Sequence, residues 1–242
     1  PAAPAAWRSL VAAKEVVGLK VVAAPGATSG TRPAVVAAVV EGLLAAGLPP
    51  RNIIVWDRQA ADLRAAGFFE LAARYGIRVA GAADAGWDEQ TYYEAALLGK
   101  LVYGDLEFGS KKESAGRRSF VSKLVTREMT KIISLAPLLN HNVTGVHGHL
   151  HSLALGSVDN TLRFELIPGR LAEAVPEIYA LPILGDRVVL NITDALLCQY
   201  QGEQRVLLHY SAQLEQLRFG TDPVALDILS LQELERQRKL AG

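Results

Sequence analysis

Short apolar runs alternate with longer amphipathic segments over the first third of the chain. Runs rich in β-branched and apolar residues, typical of buried strands, cover residues 18–24, 53–56 and 77–80. The segments between them have the apolar spacing of helices, which we predict at 33–47, 62–66 and 68–75. Because strands and helices alternate, the sequence predicts an α/β fold with a mainly parallel sheet and helices on both faces.

The rest of the chain continues this pattern after an interruption. Residues 84–118 are rich in glycine, tyrosine and charge and lack a regular period, so we predict a surface excursion there. Further elements are predicted as a helix at 123–131, strands at 132–138 and 188–192, and a last helix that Asp222 caps. Since no internal repeat or linker is evident, we predict an N-terminal spacer or extension at 1–16 and a single domain at 17–242.

The composition excludes several classes of protein. Half of the 242 residues are hydrophobic and 21% are charged, which is enough apolar material for a large core. The 25 basic and 25 acidic residues balance, so we expect neither nucleic acid nor an anionic membrane as a partner. No apolar run is long enough for a membrane span. Neither a dinucleotide fingerprint nor a Walker A loop is present, so we expect no nucleotide.

The single cysteine and the first residues of the chain bear on its redox chemistry and on export. The single cysteine, Cys198, excludes an intrachain disulfide, a thiolate zinc site and a self-sufficient iron–sulfur cluster. The chain starts at Pro1, its one methionine is Met129, and its first residues are the small-residue run PAAPAA. Such a run is typical of the segment after a removed export signal. We therefore predict a periplasmic or extracellular protein, with a trimmed cytoplasmic chain as the alternative.

A cluster of histidines is the clearest chemical feature of the sequence. Four of the five histidines, namely His141, His147, His149 and His151, fall within eleven positions. On a strand, His147, His149 and His151 would share one face, whereas on a helix His147 and His151 would be neighbours and His149 would point away. Both geometries therefore place His147 beside His151.

Neutral imidazoles held close together are good ligands for Zn²⁺, Ni²⁺, Fe²⁺ or Cu²⁺. We therefore predict a transition-metal site in which His147 and His151 are ligands and His149 or His141 completes the ligand set. The protein would then be a metal-binding protein or a metal-dependent enzyme that acts on a small anionic substrate. One alternative is a non-catalytic binding or assembly module, for example a homo-oligomer with histidines at its interface. Another is a metal-free racemase or isomerase that uses paired imidazoles as acid and base.

Carboxylates and an anion-binding loop complete the predicted site. Asp57 and Asp194 each follow a predicted buried strand, and ligands of parallel sheets bind beyond the carboxyl ends of the strands. We predict that they act as general base or as partners of the metal ligands, while the alternative is that each caps the next helix. Thr31 and Arg32 lie just before the helix that begins at Pro33, where backbone amides and a guanidinium could bind a substrate anion.

Several segments, taken in order, give the chain a resemblance to a known family. They are VVGLKVVA, TRPAVVAAVVEGLLAAG, NIIVWDR, DLRAAGF, SKLVTRE, LLNHNVTGVHGHLHSLALGSVDN, LNITDALLCQYQG and GTDPVALD. From about Val17 to the last helix the chain resembles the DUF362 family, whose biochemical role is largely unassigned. The resemblance implies a twin-arginine export signal before Pro1, and a distant likeness in fold to the N-terminal domain of nickel-dependent lactate racemases.

The chain departs from the pattern of this family where chemistry is expected. Arg32 stands where members often have a histidine, and Leu139 and Asn140 precede His141 where a lysine is common. Where members have a Thr-Gly-x-Leu-Lys-Asn run, the threonine is replaced by His147 and the lysine by His151. These replacements favour a metal in this branch of the family over any inherited activity.

Overall fold

The computed structural model describes residues 3–95, 117–165 and 169–242. Its strands are β1 (Val17–Lys20), β2 (Ile53–Asp57), β3 (Arg78–Gly81), β4 (Trp87–Glu94), β5 (Arg118–Ser122), β6 (Lys131–His141), β7 (Gly145–Val146), β8 (Val188–Gln199) and β9 (Ser211–Gly220). Its helices are α1 (Ala3–Leu10), α2 (Gly26–Ser29), α3 (Pro33–Ala45), α4 (Ala60–Ala65), α5 (Phe68–Tyr75), α6 (Ala82–Ala85), α7 (His149–Ser157), α8 (Leu162–Glu165), α9 (Arg170–Tyr179) and α10 (Pro223–Ala241).

A seven-stranded sheet forms the centre of the fold. Its strand order is β3-β2-β1-β6-β8-β9, and the short strand β7 pairs with the end of β6. The first five strands of this order run parallel, whereas β9 is antiparallel to β8 and β7 is antiparallel to β6. Strands β4 and β5 form a separate two-stranded antiparallel sheet. The predicted α/β class with a mainly parallel sheet is confirmed.

Apolar clusters cover both faces of the large sheet. One cluster packs α3, α4 and α5 against one face, and the other packs α7, α8, α9 and the two-stranded sheet of β4 and β5 against the opposite face. Along β1, Leu19 points to the first cluster, while Gly18 and Lys20 point to the second face because strand side chains alternate. A Cβ at Gly18 would lie 1.9 Å from Sδ of Met129, so this close contact requires glycine.

The strands on the far side of the sheet extend further than predicted. Strand β6 continues past Pro137 to His141, because the register with β8 shifts at Pro137 and a proline without an N–H is tolerated at such an irregularity. Strand β8 runs to Gln199, and β9 and α9 were not predicted as elements at all. Polar residues inside β8 and β9 interrupt the apolar runs from which strands are predicted, so the apolar pattern does not indicate these strands.

In three further predicted segments the structure adds detail or corrects the prediction. The excursion predicted at 84–118 contains the strand β4, while its residues 96–116 lie outside the described part of the chain. The helix predicted at 123–131 is reduced to a π-helical turn over Leu124–Glu128. The predicted spacer at 1–16 contains the helix α1, which places Trp7 against Gly42 of α3. Across the three described ranges, no helix is both long and apolar enough to cross a membrane.

The cap of the last helix is confirmed. Asp222 precedes α10, and its Oδ1 accepts hydrogen bonds from the backbone N–H groups of Val224 at 2.9 Å and Ala225 at 3.1 Å. This is the bonding pattern of an N-cap aspartate, which satisfies N–H groups that have no partner inside the helix. The same helix carries Asp227 toward the segment that holds the histidines.

Candidate functional site

A cavity of about 640 Å³ opens at the carboxyl ends of the parallel strands. Lys20 ends β1, Asp57 ends β2 and His141 ends β6, and all three line the cavity. The other lining residues used below are His147, His151, Ser152, Arg58, Asp62, Thr161, Glu165 and Glu203. The position of the cavity agrees with the rule that open parallel sheets bind ligands at this edge.

Three of the four clustered histidines meet in this cavity. The ring centroids of His147 and His151 are 4.6 Å apart, those of His141 and His151 are 4.4 Å apart, and those of His141 and His147 are 5.7 Å apart. His147 lies just before α7 and His151 lies in its first turn. The prediction that His147 and His151 are neighbours is confirmed.

The start of α7, which positions His151, is fixed from another part of the chain. Gly148 is the N-cap residue but has no side chain to accept hydrogen bonds. Instead, the Asp227 carboxylate on α10 accepts the backbone N–H groups of His149 at 2.8 Å and Leu150 at 3.0 Å. A Cβ at Gly148 would lie 2.2 Å from Oδ1 of Asp227, so glycine is required for this approach. Burial raises the pKa of Asp227 to about 6, against the lowering effect of the two N–H groups.

Two of the imidazoles have nitrogens without partners. Nδ1 of His147 and both ring nitrogens of His151 are buried and have no hydrogen-bond partner among the described residues. Burial, together with the nearby His141 and Lys20 and against the effect of Asp57, lowers the pKa of His147 to about 4. Burial also holds the pKa of His151 well below its usual value. Both rings are therefore neutral at pH 7, and each has one nitrogen that carries a lone pair.

His141 is oriented differently from the other two rings. Its Nδ1 accepts the backbone N–H groups of Thr144 at 3.1 Å and Val143 at 3.3 Å, so the neutral ring carries its proton on Nε2. Burial lowers the pKa of His141, and the carboxylates of Glu203 and Glu165 oppose this effect. Within the part of the chain that the structure describes, no group of three or more His, Cys, Asp or Glu side chains is arranged to hold a metal ion.

His149 lies apart from this cavity. It is fully buried, and its Nδ1 and Nε2 are 2.8 Å from Oγ of Ser134 and 3.0 Å from Oγ1 of Thr193. These hydroxyls, on β6 and β8, satisfy both ring nitrogens. Burial lowers the pKa of His149 to about 3, so the ring is neutral. The structure therefore does not place His149 with the three histidines that meet in the cavity.

A buried lysine in the cavity is a residue that sequence reasoning missed. Nζ of Lys20 donates to Oδ1 of Asp57 at 2.8 Å, to the carbonyl oxygen of Val21 at 2.7 Å and to Oγ of Ser152 at 3.0 Å. Gly156 on α7 leaves room for it, because a Cβ there would lie 2.4 Å from Cε of Lys20. The signal in the sequence is a lysine inside an otherwise apolar strand, where a charge requires a partner.

Asp57 is held by several donors. In addition to Lys20, its carboxylate accepts the backbone N–H groups of Ala23 and Arg58, each at 2.8 Å. Asp57 thus lines the cavity as predicted, but both of its oxygens are bonded within the protein. This arrangement favours the role of a positioning residue over that of a general base.

Arg58 and the remaining carboxylates give the cavity its charge. Nη1 of Arg58 donates to Oγ1 of Thr161 at 2.9 Å and to the carbonyl oxygen of Leu155 at 3.1 Å. The carboxylates in the lining, counted with Asp57, are those of Asp62, Glu165 and Glu203. Among the lining residues that the structure describes, two positive side chains face four carboxylates, a formal charge of −2 when all are ionised, which favours a bound cation over a free anion.

The other predicted site residues lie on the opposite face of the sheet. Because Thr193 points to His149, its neighbour Asp194 points the other way, toward the start of α3. Asp194 is fully buried and accepts Nη1 of Arg32 at 2.7 Å and the backbone N–H of Arg32 at 3.0 Å. Thr31 is also buried, donates to the carbonyl oxygen of Leu135 and accepts the N–H of Val22. None of these three residues lines the cavity described above.

Comparisons with known proteins identify a family and a fold. The chain matches the family described as a domain of unknown function, DUF362, over residues 17–232. It is similar to a solved crystal structure of a protein from Thermotoga maritima, with a TM-score of 0.51 and 13% sequence identity. The match covers 98% of this chain and 57% of that protein, so the chain spans little more than half of its length. No curated protein matches the chain.

Proposed function

This chain belongs to the DUF362 family, and from the geometry of its cavity we propose that it binds a divalent transition-metal ion through His147 and His151. The observation that carries the proposal is the set of buried imidazole nitrogens without partners, namely Nδ1 of His147 and both nitrogens of His151. The proposal explains why two adjacent rings with unsatisfied nitrogens are buried beside a cavity.

The energetics favour a bound ligand at these nitrogens. A buried polar group without a hydrogen bond destabilises the fold by about 1–3 kcal/mol, so several in one place call for a compensating partner. A proton is a poor partner, because burial lowers the pKa of His147 to about 4 and the pKa of His151 well below its usual value. A transition-metal ion suits neutral imidazole, and the −2 charge of the lining supports a divalent cation.

The surrounding residues have distinct roles in this proposal. His141 stands beside both rings, but since its Nδ1 accepts backbone N–H groups it presents Nε2–H and acts as a hydrogen-bond donor toward a ligand. Lys20, held by Asp57, places a positive charge near His147 and His151 and thus disfavours protonation of these two imidazoles. A divalent ion bound here would supply Lewis acidity toward a small anion, which is the chemistry of the metal-dependent enzyme predicted above.

Metal binding by the purified chain tests the proposal. We expect one equivalent of Zn²⁺ to bind in isothermal titration calorimetry at pH 7 after treatment with chelator. His147→Gln and His151→Gln should each weaken this binding by about 100-fold or more, because loss of even an outer partner of a ligand weakens metal binding by about 10–100-fold. Circular dichroism should show that both variants remain folded.

Two controls make the result decisive. His209→Gln changes an exposed histidine away from the cavity and should leave Zn²⁺ affinity unchanged. His141→Gln should have a smaller effect than either ligand variant, since His141 is not a ligand in the proposal. If Zn²⁺, Ni²⁺, Cu²⁺ and Fe²⁺ all fail to bind, or if His147→Gln binds them as the wild type does, the proposal is wrong. The alternatives would then be the metal-free acid–base enzyme and the assembly module.

A further inference from the structure

Resting on the metal site proposed above, we infer that the cavity takes a small chelating carboxylate together with the metal ion. The chelating oxygens would complete the coordination that His147 and His151 begin, and a carboxylate of the same molecule would bind to Arg58. The chemical class is thus a di- or polycarboxylate, or a similar anion, that presents one group to the metal and another to a guanidinium.

The size of the cavity is the first observation that points to an organic ligand. At about 640 Å³, it is much larger than a metal ion with its remaining water ligands requires, since each water occupies about 30 Å³ in the liquid. Cavities of about 300–1,000 Å³ are typical of small-molecule sites. The space beside the two imidazoles is therefore sufficient for a small organic ligand.

The incomplete ligand set is the second observation. His147 and His151 supply imidazole nitrogens, His141 presents an N–H, and His149 is bonded to Ser134 and Thr193. Across the described ranges no third His, Cys, Asp or Glu joins them in a metal-binding group. Two imidazoles leave at least two positions of a tetrahedral ion open, and one carboxylate that chelates through both of its oxygens fills these two positions while a second carboxylate of the same molecule stays available for Arg58.

Arg58 provides the second attachment point. Its Nη1 is fixed by Thr161 and Leu155, which orients the plane of the guanidinium in the wall of the cavity. Nε and Nη2 have no hydrogen-bond partner in the described part of the chain, and Arg58 forms no salt bridge there. These two nitrogens form one edge of the guanidinium, the edge that binds a carboxylate with two parallel hydrogen bonds.

The charge of the cavity lining couples the binding of the metal ion to the binding of the anion. Four carboxylates against two positive side chains repel a free anion, whereas an anion that shares the cavity with a divalent cation meets a neutralised surface. Metal and anion should therefore strengthen each other's binding, and the two effects must be equal because the linkage is reciprocal.

The test measures this coupling with Zn²⁺ and malonate, a small dicarboxylate that can give one carboxylate to the ion and the other to Arg58. Malonate is titrated into the chain with and without saturating Zn²⁺, with a blank that corrects for the zinc–malonate complex in solution. We expect at least about ten-fold tighter malonate binding with zinc, and a much smaller ratio for acetate, which offers one carboxylate only. Arg58→Gln should reduce the malonate ratio to that of acetate, and Arg58→Lys should retain part of it.

Arg51→Gln is the matched control, because Arg51 is an exposed guanidinium that does not line the cavity and should leave the ratio unchanged. Each ratio is formed within one variant, so a change in zinc affinity or stability cancels. If Zn²⁺ binds but the malonate ratio is near one, or if malonate binds equally without zinc, the inference is overturned while the metal site stands. If Zn²⁺ does not bind with or without malonate, the proposed function fails and the inference fails with it.

Discussion

His149 should make the stability of this fold depend on pH, although it lies outside the cavity. The ring is fully buried between Ser134 and Thr193, and burial lowers its pKa from 6.5 to about 3. In the unfolded chain the ring regains its usual pKa, so below pH 6.5 the unfolded state takes up a proton that the folded state does not. The stabilisation is therefore present above pH 6.5 and is lost as the pH falls toward 3.

The magnitude follows from the two pKa values. Between pH 7 and pH 5, a histidine with a pKa of 6.5 unfolded and about 3 folded lowers the free energy of unfolding by about 2 kcal/mol. We expect the wild type to lose about 2 kcal/mol more over this interval than His149→Gln, whose side chain does not titrate. Glutamine retains an amide that can bond one of the two hydroxyls, so the variant should fold with reduced stability.

Urea unfolding followed by circular dichroism at pH 7 and pH 5 measures this difference. Chelator in both buffers prevents a bound metal from stabilising the neutral form of His147 and His151. His209→Gln serves as the control, because this side chain is exposed in the folded protein and should leave the pH dependence of the wild type intact. An equal loss of stability in the wild type and in His149→Gln would refute the reasoning.

Three further predictions concern the groups that hold the site. Asp227→Asn should remove a pH effect of opposite sign. The pKa of Asp227 is raised from 3.8 to about 6, so the free energy of unfolding of the wild type gains about 1 kcal/mol from this group as the pH falls from 7 to 5. The same change of stability between pH 7 and pH 5 in the wild type and in Asp227→Asn, measured by urea unfolding, would contradict this. Gly148→Ala should lower stability by about 2–4 kcal/mol in urea unfolding, because its Cβ displaces the Asp227 carboxylate from two N–H groups. Lys20→Met should lower the free energy of unfolding by about 3–5 kcal/mol, because it leaves Asp57 buried without its cation. The double variant Lys20→Met with Asp57→Leu should recover part of this loss in the same assay. No recovery would argue against the ion pair as the cause.

The elements that could be predicted are those with a dense apolar pattern. Strand β2 was predicted within one residue of its end and α5 to the residue, because both carry an unbroken local signal. Strand β9 and the second half of β8 were missed, since polar residues such as Asp194 interrupt them. The partner that allows Asp194 to be buried is Arg32, which lies 162 residues away and is invisible to any local pattern.

The same distinction explains what could be predicted of the site. The contact between His147 and His151 follows from local spacing alone, on a strand or on a helix, and the structure confirms it. Lys20 was missed because its partners Asp57 and Ser152 lie 37 and 132 residues away. The metal, the catalytic roles of Asp57 and Asp194, the substrate roles of Arg32 and Thr31, and export to the periplasm or cell exterior stay predictions.

The bonding state of each polar group, rather than its residue type, separates structural from functional candidates in this fold. Asp57 ends β2 whereas Asp194 lies inside β8, and alternation along the strands sends one to the cavity and the other to the face covered by α3, where each is matched by a cation. His149 is satisfied by two hydroxyls, whereas His151, two residues further on, has none. Evolution of a stable core alone would not retain such an unsatisfied group, because it lowers stability without a compensating contact. The buried nitrogens left without partners on His147 and His151 are therefore the first groups to test for ligand binding, together with the edge of the half-buried Arg58 that has no partner among the described residues.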